Sequence, residues 1–201
     1  MTGAEVLFEE RPLTVQVARL FPNQGEWTER DYFLLPATHR LIELSDGDLI
    51  MPPHPTDTHQ QVVGNLYAIL RRFASKHNLG WVRFAPLPVR LWPGKVREPD
   101  VLFLAREHAD RRGEQVWGPP DLVMEVLSPG TELLDRETKH IEYARAGIAE
   151  YWIVDPEGRS VEVWALEQGN YTLAGGFGPG QTASSRLLQG FQVAVDDVFG
   201  E

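Results

Sequence analysis

The 201-residue chain has no cysteine, which removes disulfides and thiolate metal sites from consideration. That absence agrees with a reducing compartment, and a cytoplasmic protein is expected. No apolar run approaches the roughly 20 residues of a membrane span. The first residues, "MTGAEVLFEERPL", lack the basic and then apolar pattern of a signal peptide, so no membrane association is expected. Positive charge is scarce too: 19 Lys and Arg stand against 29 Asp and Glu, a net charge of −10. A mostly acidic surface repels phosphate backbones, so a nucleic-acid role demands a local basic patch, or metal ions that offset the acids. Several catalytic frames are missing as well. "GGFGPGQ" is not followed by the lysine and helix of a phosphate-binding loop. Ser128 has no G-x-S-x-G frame, and His54 and His59 lack a zinc-ligand pattern.

What is there describes a soluble globular chain of one-domain size. Residues 1–26 show little periodicity and read as an N-terminal arm, followed by a single domain over 27–199. "WTERDYFLL" suits a short helix begun by Thr28, and Asp46-Gly47 between apolar segments signals a hairpin. Thr58 and Gln61 are spaced as a capping box. Val62, Val63, Leu66, Ile69, Leu70 and Phe73 then recur at helical spacing, and the helix should stop near Asn78-Leu79-Gly80. "WVRFAPLPVRLW", "EPDVLFLA" and "PDLVMEVLS" read as three strands, the last two apolar enough to be central. A second helix is expected from about Glu132 to Ala146. "EYWIVD" and "SVEVWAL" should pair across Pro156-Glu157-Gly158, with two short strands around a Gly-rich loop after them. The order predicts an α/β layer around one mixed sheet flanked by helices, with extra N- and C-terminal hairpins.

Two acids sit where acids are costly. Glu125 lies inside "LVMEVL", a strand apolar on both faces, and Asp100 follows Pro99 at the head of "VLFLA". A buried carboxylate without a partner costs several kcal/mol, so it is neutralised, paired or metal-bound. Carboxylate oxygens with waters completing the shell are what magnesium or manganese requires. Lys139 can join them. The strand rises about 10 Å from Glu125 to Ser128 at ~3.3 Å per residue, and a helix descends about 10 Å from Glu132 to Lys139 at ~1.5 Å per residue. Tyr143, one turn on, could brace the site. Taken singly, each has a plainer reading: Asp100 in a turn, Lys139 in a solvated i,i+4 pair with Asp135, Glu43 pointing to water, and His59 solvated or capping. Asp121 and Asp155 read as turn residues, and Tyr151 and Trp152 as core or interface aromatics. "RRF" at 71–73 with Arg83, Arg90, Lys95 and Arg97 could contact phosphate, although scattered surface cations are the simpler account.

"EPDVLFL", then "DLVMEVLSP", then "DRETKHIEYARAGIAEYWIVDP" resemble the Uma-type endonucleases of the restriction-endonuclease-like superfamily, whose signature is Pro-Asp, then an acid, any residue and lysine. The resemblance runs from about Trp27 to Phe199 and includes "IELSDGDLIMPPHPTDTHQQVVGNL". Asp100 matches the first acidic position and Glu125 the second. Leu127 stands where the lysine would be, and in the Uma-type pattern the lysine is displaced onto the following helix, at Lys139. The resemblance implies a restriction-endonuclease-like core, often a homodimer, with magnesium or manganese as cofactor. It also implies that Glu43 and His59 approach the site from the hairpin and the first long helix.

The resulting expectation is a metal-dependent endonuclease hydrolysing DNA. Asp100 and Glu125 would hold the cation, Lys139 would assist the attacking water, and Glu43 and His59 would complete the pocket. Two alternatives stand beside it: a non-catalytic dimeric nucleic-acid- or protein-binding module with the same fold, and a metal-dependent hydrolase of a small phosphate-containing substrate.

Overall fold

The most apolar segments of the chain lie side by side at the centre of the protein. The computed structural model describes residues 22–36 and 41–200, so most of the expected N-terminal arm falls outside the described residues. A short helix, α1 (Glu29–Phe33), is capped at Thr28, whose side chain accepts from Asp31 N–H while the Asp31 carboxylate accepts from Thr28 N–H. Strands β1 (Glu43–Ser45) and β2 (Asp48–Ile50) form the expected hairpin. Asp46 and Gly47 both take positive φ, the requirement of the tight turn that Asp-Gly favours. A side chain at Gly47 would meet the backbone oxygen of Gly25 at 2.5 Å, so only glycine fits there.

The first long helix, α2 (Asp57–Lys76), starts two residues earlier than its expected box. Thr56, not Thr58, is the cap, its hydroxyl accepting from His59 N–H at 3.2 Å. Gln61 is engaged elsewhere, donating to Gly200 O at 3.0 Å. The helix ends as expected, with Asn78 in the left-handed region. After it come β3 (Gly80–Phe84), β4 (Val89–Trp92), β5 (Lys95–Arg97), β6 (Val101–Ala105) and β7 (Leu122–Val126). A helical segment follows, first a π-turn (Leu134–Lys139) and then α3 (His140–Arg145), where one regular helix was expected. The chain closes with β8 (Glu150–Asp155), β9 (Ser160–Glu167), β10 (Asn170–Phe177), β11 (Thr182–Ser184), β12 (Gln192–Ala194) and α4 (Val195–Phe199).

The central sheet has the order β10-β9-β8-β7-β6-β3. Its neighbours are antiparallel except β7 and β8, whose parallel pairing sets Glu125 opposite Ile153. The helical segment is the crossover that a parallel pair requires. On one face, Val62, Leu66 and Leu70 of α2 pack with Phe103, Met124 and Trp152. On the other, Leu102, Leu104 and Val123 pack with Tyr143, Tyr151 and Ile153. The expected α/β core with a mixed sheet is therefore present.

Two further expectations change. "WVRFAPLPVRLW" is not one strand: β3 joins the central sheet, while β4 joins a second sheet of order β2-β1-β5-β4. The tail holds more structure than two short strands, because β10 spans eight residues through Gly175 and Gly176 and pairs with β9 along its length. Among the described residues, no helix is long and apolar enough to cross a membrane.

Candidate active site

Asp100 stands just before β6, the second strand from the β3 edge of the sheet, and its carboxylate reaches across to β7. Its Oδ2 accepts from Val126 N–H at 2.8 Å and lies 3.3 Å from His59 Nε2, in the first turn of α2. Glu125, on β7, is almost fully buried, and its Oε1 accepts from Tyr143 OH at 2.5 Å and pairs with Lys139 Nζ at 3.0 Å. The π-turn brings the lysine in from the crossover. Lys139 Nζ also lies 2.9 Å from Asp135 Oδ1 and 3.8 Å from Glu43 Oε1. All five residues expected at the site thus line one small cavity of about 50 Å³, together with Glu98 and Asp135.

The second sheet supplies the remaining wall. Glu43 of β1 pairs with Arg97 of β5, Oε2 to Nη1, at 2.8 Å, and its Oε1 accepts from Glu98 N–H at 3.1 Å. Arg97 is fully buried and turns the rest of its guanidinium to Glu142 of α3, in two bonds of 2.7 and 2.9 Å. Lys95 joins the same carboxylate at 2.8 Å. These contacts tie the small sheet to the crossover helix, and Glu43 touches Lys139 from the far side.

Three sequence readings are revised here. Lys95 and Arg97 are buried ion-pair partners, and Arg90 pairs with Glu29 at 2.7 Å, so none of the three is a free phosphate contact. Asp135 does pair with Lys139, but both are buried instead of solvated. Asp121 is also buried, its carboxylate accepting from Ala105 N–H and meeting His108 Nδ1 at 2.6 Å. Asp155 keeps its turn role, accepting from Glu157 and Gly158 N–H.

The charges in this pocket follow from what faces them. Burial raises the Glu125 carboxyl, and the negative charges of Asp100 and Asp135 push the same way, while Lys139 opposes them. Burial also lifts Glu98, reinforced by the charge of Glu43, to about 7. For Glu43 the balance reverses: burial would raise it, but Lys139 and Arg97 together hold it low, so it stays a carboxylate. Burial would depress Lys139, yet Glu125, Glu43 and Asp135 keep it a firm ammonium. His59 is raised for a similar reason, since its bond to Asp100 and that residue's charge outweigh burial.

The donor set suits a hard cation. Among the described residues, Asp100 Oδ1 and Glu125 Oε2 make no hydrogen bond, unlike the other oxygen of each carboxylate. Two carboxylates leave the other positions of a magnesium-like shell to water and phosphate, as that ion prefers. Among the described residues, no group of three or more His, Asp and Glu is arranged to hold a metal ion. Glu125, whose proton affinity burial raises, is an acid from which a cation would displace the proton.

Sequence reasoning missed Asp135 as a buried member, and it missed Glu98, Glu142 and Tyr32. Tyr32 of α1 donates to Ile42 O at 2.7 Å and stands 3.4 Å from Glu98 Oε1, linking the first helix to the pocket. The alternation of Lys95 and Arg97 along one face of "KVREPD" was the available signal, since opposed acids are needed wherever such a face is buried.

Comparison with known proteins follows the same line. The model of the Uma2 family, described as "Putative restriction endonuclease", matches residues 22–196. Among solved structures, a "putative nuclease" of DUF820 from Anabaena variabilis superposes with a TM-score of 0.72. It is 17% identical, and the match covers 86% of this chain and 97% of that one. At that identity the likeness establishes a shared fold. No curated protein matches.

Proposed function

The chain belongs to the Uma2 family, and from that premise we propose that it is a divalent-metal-dependent endonuclease hydrolysing DNA phosphodiester bonds in the cytoplasm. One observation carries the reading. Asp100 and Glu125 line one cavity, each with an oxygen free of hydrogen bonds, while a buried ammonium stands 3.0 Å from Glu125. Asp100 and Glu125 would hold magnesium or manganese. When bound, such an ion makes water a stronger nucleophile at neutral pH and stabilises charge on phosphoryl oxygens.

The chain's own residues supply the rest. In hydrolysis the water oxygen forms a new bond to phosphorus while the bond to the leaving oxygen breaks, and that oxygen ends as a hydroxyl. Lys139 offers a fixed positive charge where negative charge grows, and it needs no reorganisation because three carboxylates already hold it. Tyr143 orients Glu125 from behind. Glu43, held ionised by Arg97, fixes the lysine from the opposite side. His59, raised by its bond to Asp100 and that residue's charge, adds an imidazole to the cavity wall 3.3 Å from the carboxylate. A homodimer belongs to the same reading and is measured by light scattering.

The test is nicking of supercoiled plasmid with manganese. Cleavage should stop with chelator and fall at least a hundredfold in Lys139→Ala and Glu125→Gln variants that keep a native circular-dichroism spectrum, as loss of a preorganised charge costs roughly that factor or more. Undiminished cleavage by folded Glu125→Gln would overturn the assignment.

A further inference from the structure

In a chain of net charge −10, one groove is lined by cations and by no carboxylate. It runs beside β3, the edge strand of the central sheet, and encloses about 280 Å³. Arg71 from α2, Arg83 from β3 and Arg106 from the turn after β6 line it, along with Asn78 and Trp81. These three arginines are exposed and make no ion pair among the described residues.

The guanidinium groups are held in place by neutral partners. Arg106 stacks over Trp81 at 5.6 Å and donates to Asn78 O at 2.8 Å and to the Asn78 side chain. Arg112, exposed beside the groove, lies 4.2 Å from the Trp81 ring centroid and 5.5 Å from that of Trp117. Arg83 covers Trp117 at 5.5 Å and donates to Val82 O, and Arg71 donates to Tyr67 OH at 3.0 Å. A guanidinium fixed by rings and neutral oxygens keeps its full charge and its remaining N–H groups for an outside anion. The nearby acids Glu107, Asp110 and Glu114 form no ion pair with these four arginines.

Position relative to the cavity makes the arrangement directional. Arg83 pairs in register with Leu102, and Phe84 with Val101, directly after Asp100. Ala85 N–H then bonds Asp100 O at 3.1 Å. Along β3 the arginine therefore stands about 7 Å from the level of Asp100 and Trp81 about 13 Å, at ~3.3 Å per residue. Phe84, half exposed, lies between them with Tyr67 against its edge.

We propose that this groove binds the phosphodiester backbone of the nucleic-acid substrate and leads the strand along β3 to the cavity of Asp100 and Glu125. It rests on the nuclease reading for its purpose, but its binding is separate from the chemistry. It also resolves the charge problem, since the chain concentrates unpaired arginine here while its other inner cations are committed to acids.

The experiment measures binding of a fluorescein-labelled oligonucleotide, single-stranded or duplexed, by anisotropy over a range of salt and in chelator, where no cleavage can occur. Three proteins are compared: the wild type, Arg83→Gln/Arg106→Gln/Arg112→Gln, and Arg145→Gln/Arg159→Gln/Arg186→Gln, which removes three exposed charges elsewhere. The groove variant should bind at least tenfold more weakly at low salt. Its slope of log K against log salt should shrink by about 2 to 3, near 0.7 per contact for a single strand and 0.9 for duplex. The control should change by less than half as much. The double variant Arg71→Gln/Arg83→Gln, which leaves the Arg106 and Arg112 stacks intact, should lose about half the effect and guards against misfolding. Equal weakening in groove and control variants overturns the proposal, and so does a wild type that binds neither strand form. If the groove variant loses binding while the wild type never cleaves plasmid, the groove stands and the nuclease reading falls. If the groove variant cleaves and binds as the wild type does, the nuclease reading stands and the groove falls.

Discussion

Lys139 Nζ stands 3.0 Å from Glu125 Oε1 although the residues lie on different elements, one on a π-turn and the other inside a sheet. The same ammonium touches Asp135 and approaches Glu43, so one cation answers three buried acids. Removing it leaves those acids uncompensated. Lys139→Ala in chelator should therefore lose on the order of 3 kcal/mol of stability, read from urea unfolding. Manganese should recover part of that loss, because a divalent ion can replace the missing charge. A variant as stable as the wild type in chelator would contradict the burial of this ion pair.

Arg97 is the second fixed point. Its fork holds Glu142 twice and Glu43 once, with none of its surface exposed. Arg97→Lys keeps the charge but cannot reproduce the fork. It should cost roughly 2 to 4 kcal/mol, close to the cost of Arg97→Met. Near-complete rescue by lysine, measured by denaturation, would show that charge alone matters there.

Metal binding should register in the melting temperature. A ligand that binds the native state adds about 2.7 kcal/mol at a hundred times its dissociation constant. Wild type should thus gain several degrees in millimolar manganese, and Glu125→Ala should gain little. The gain should be larger near pH 8 than near pH 6, as the ion must displace a proton from a carboxyl whose affinity burial has raised. An equal gain at both pH values, or in both proteins, counts against Glu125 as a ligand.

Glu98 sets a separate pH trend. Its carboxyl is pushed up to about 7 by burial and by Glu43, above the usual carboxylate range of the unfolded chain. The native state therefore holds the proton more tightly, and stability is complete at acid pH and falls as pH rises through 7. In chelator, Glu98→Gln should remove that decline and exceed wild type near pH 8.5 by on the order of 2 kcal/mol. Parallel melting curves for the two proteins from pH 5 to about 8.5 would refute this.

Much of this site was readable before any coordinates. Asp100 and Glu125 stood out because an acid inside an apolar strand breaks its own pattern, and the rise of strand and helix brought Lys139 to the same level. The fork from Arg97 to Glu142 left only a weaker trace, the alternation of Lys95 and Arg97, which does not name the acid opposite. The two residues lie 45 positions apart, and each looks like an ordinary surface charge until the small sheet packs against the crossover. Asp135 was misread for the same reason, since spacing cannot tell a buried i,i+4 pair from a solvated one. The cations were sorted only by packing: Lys95 and Arg97 turned inward, while Arg83 met Trp117 and stayed outside. In the tail, Gly175 and Gly176 concealed β10, because glycine weakens a strand pattern even where a register shift accommodates it. At Gly175 a side chain would meet the Phe177 ring at 2.6 Å, so that ring would have to move aside for any larger residue.

The small sheet brings one further consequence. Glu43 arrives with the first hairpin, whereas its partners Arg97 and Lys139 arrive with β5 and the π-turn, and Tyr143, which bonds Glu125, with α3. A chain emerging from the ribosome N-terminus first holds the opening acid long before the groups that seat it. No truncated product ending ahead of α3 can assemble the pocket, so the cavity of Asp100 and Glu125 closes only after synthesis has passed that helix.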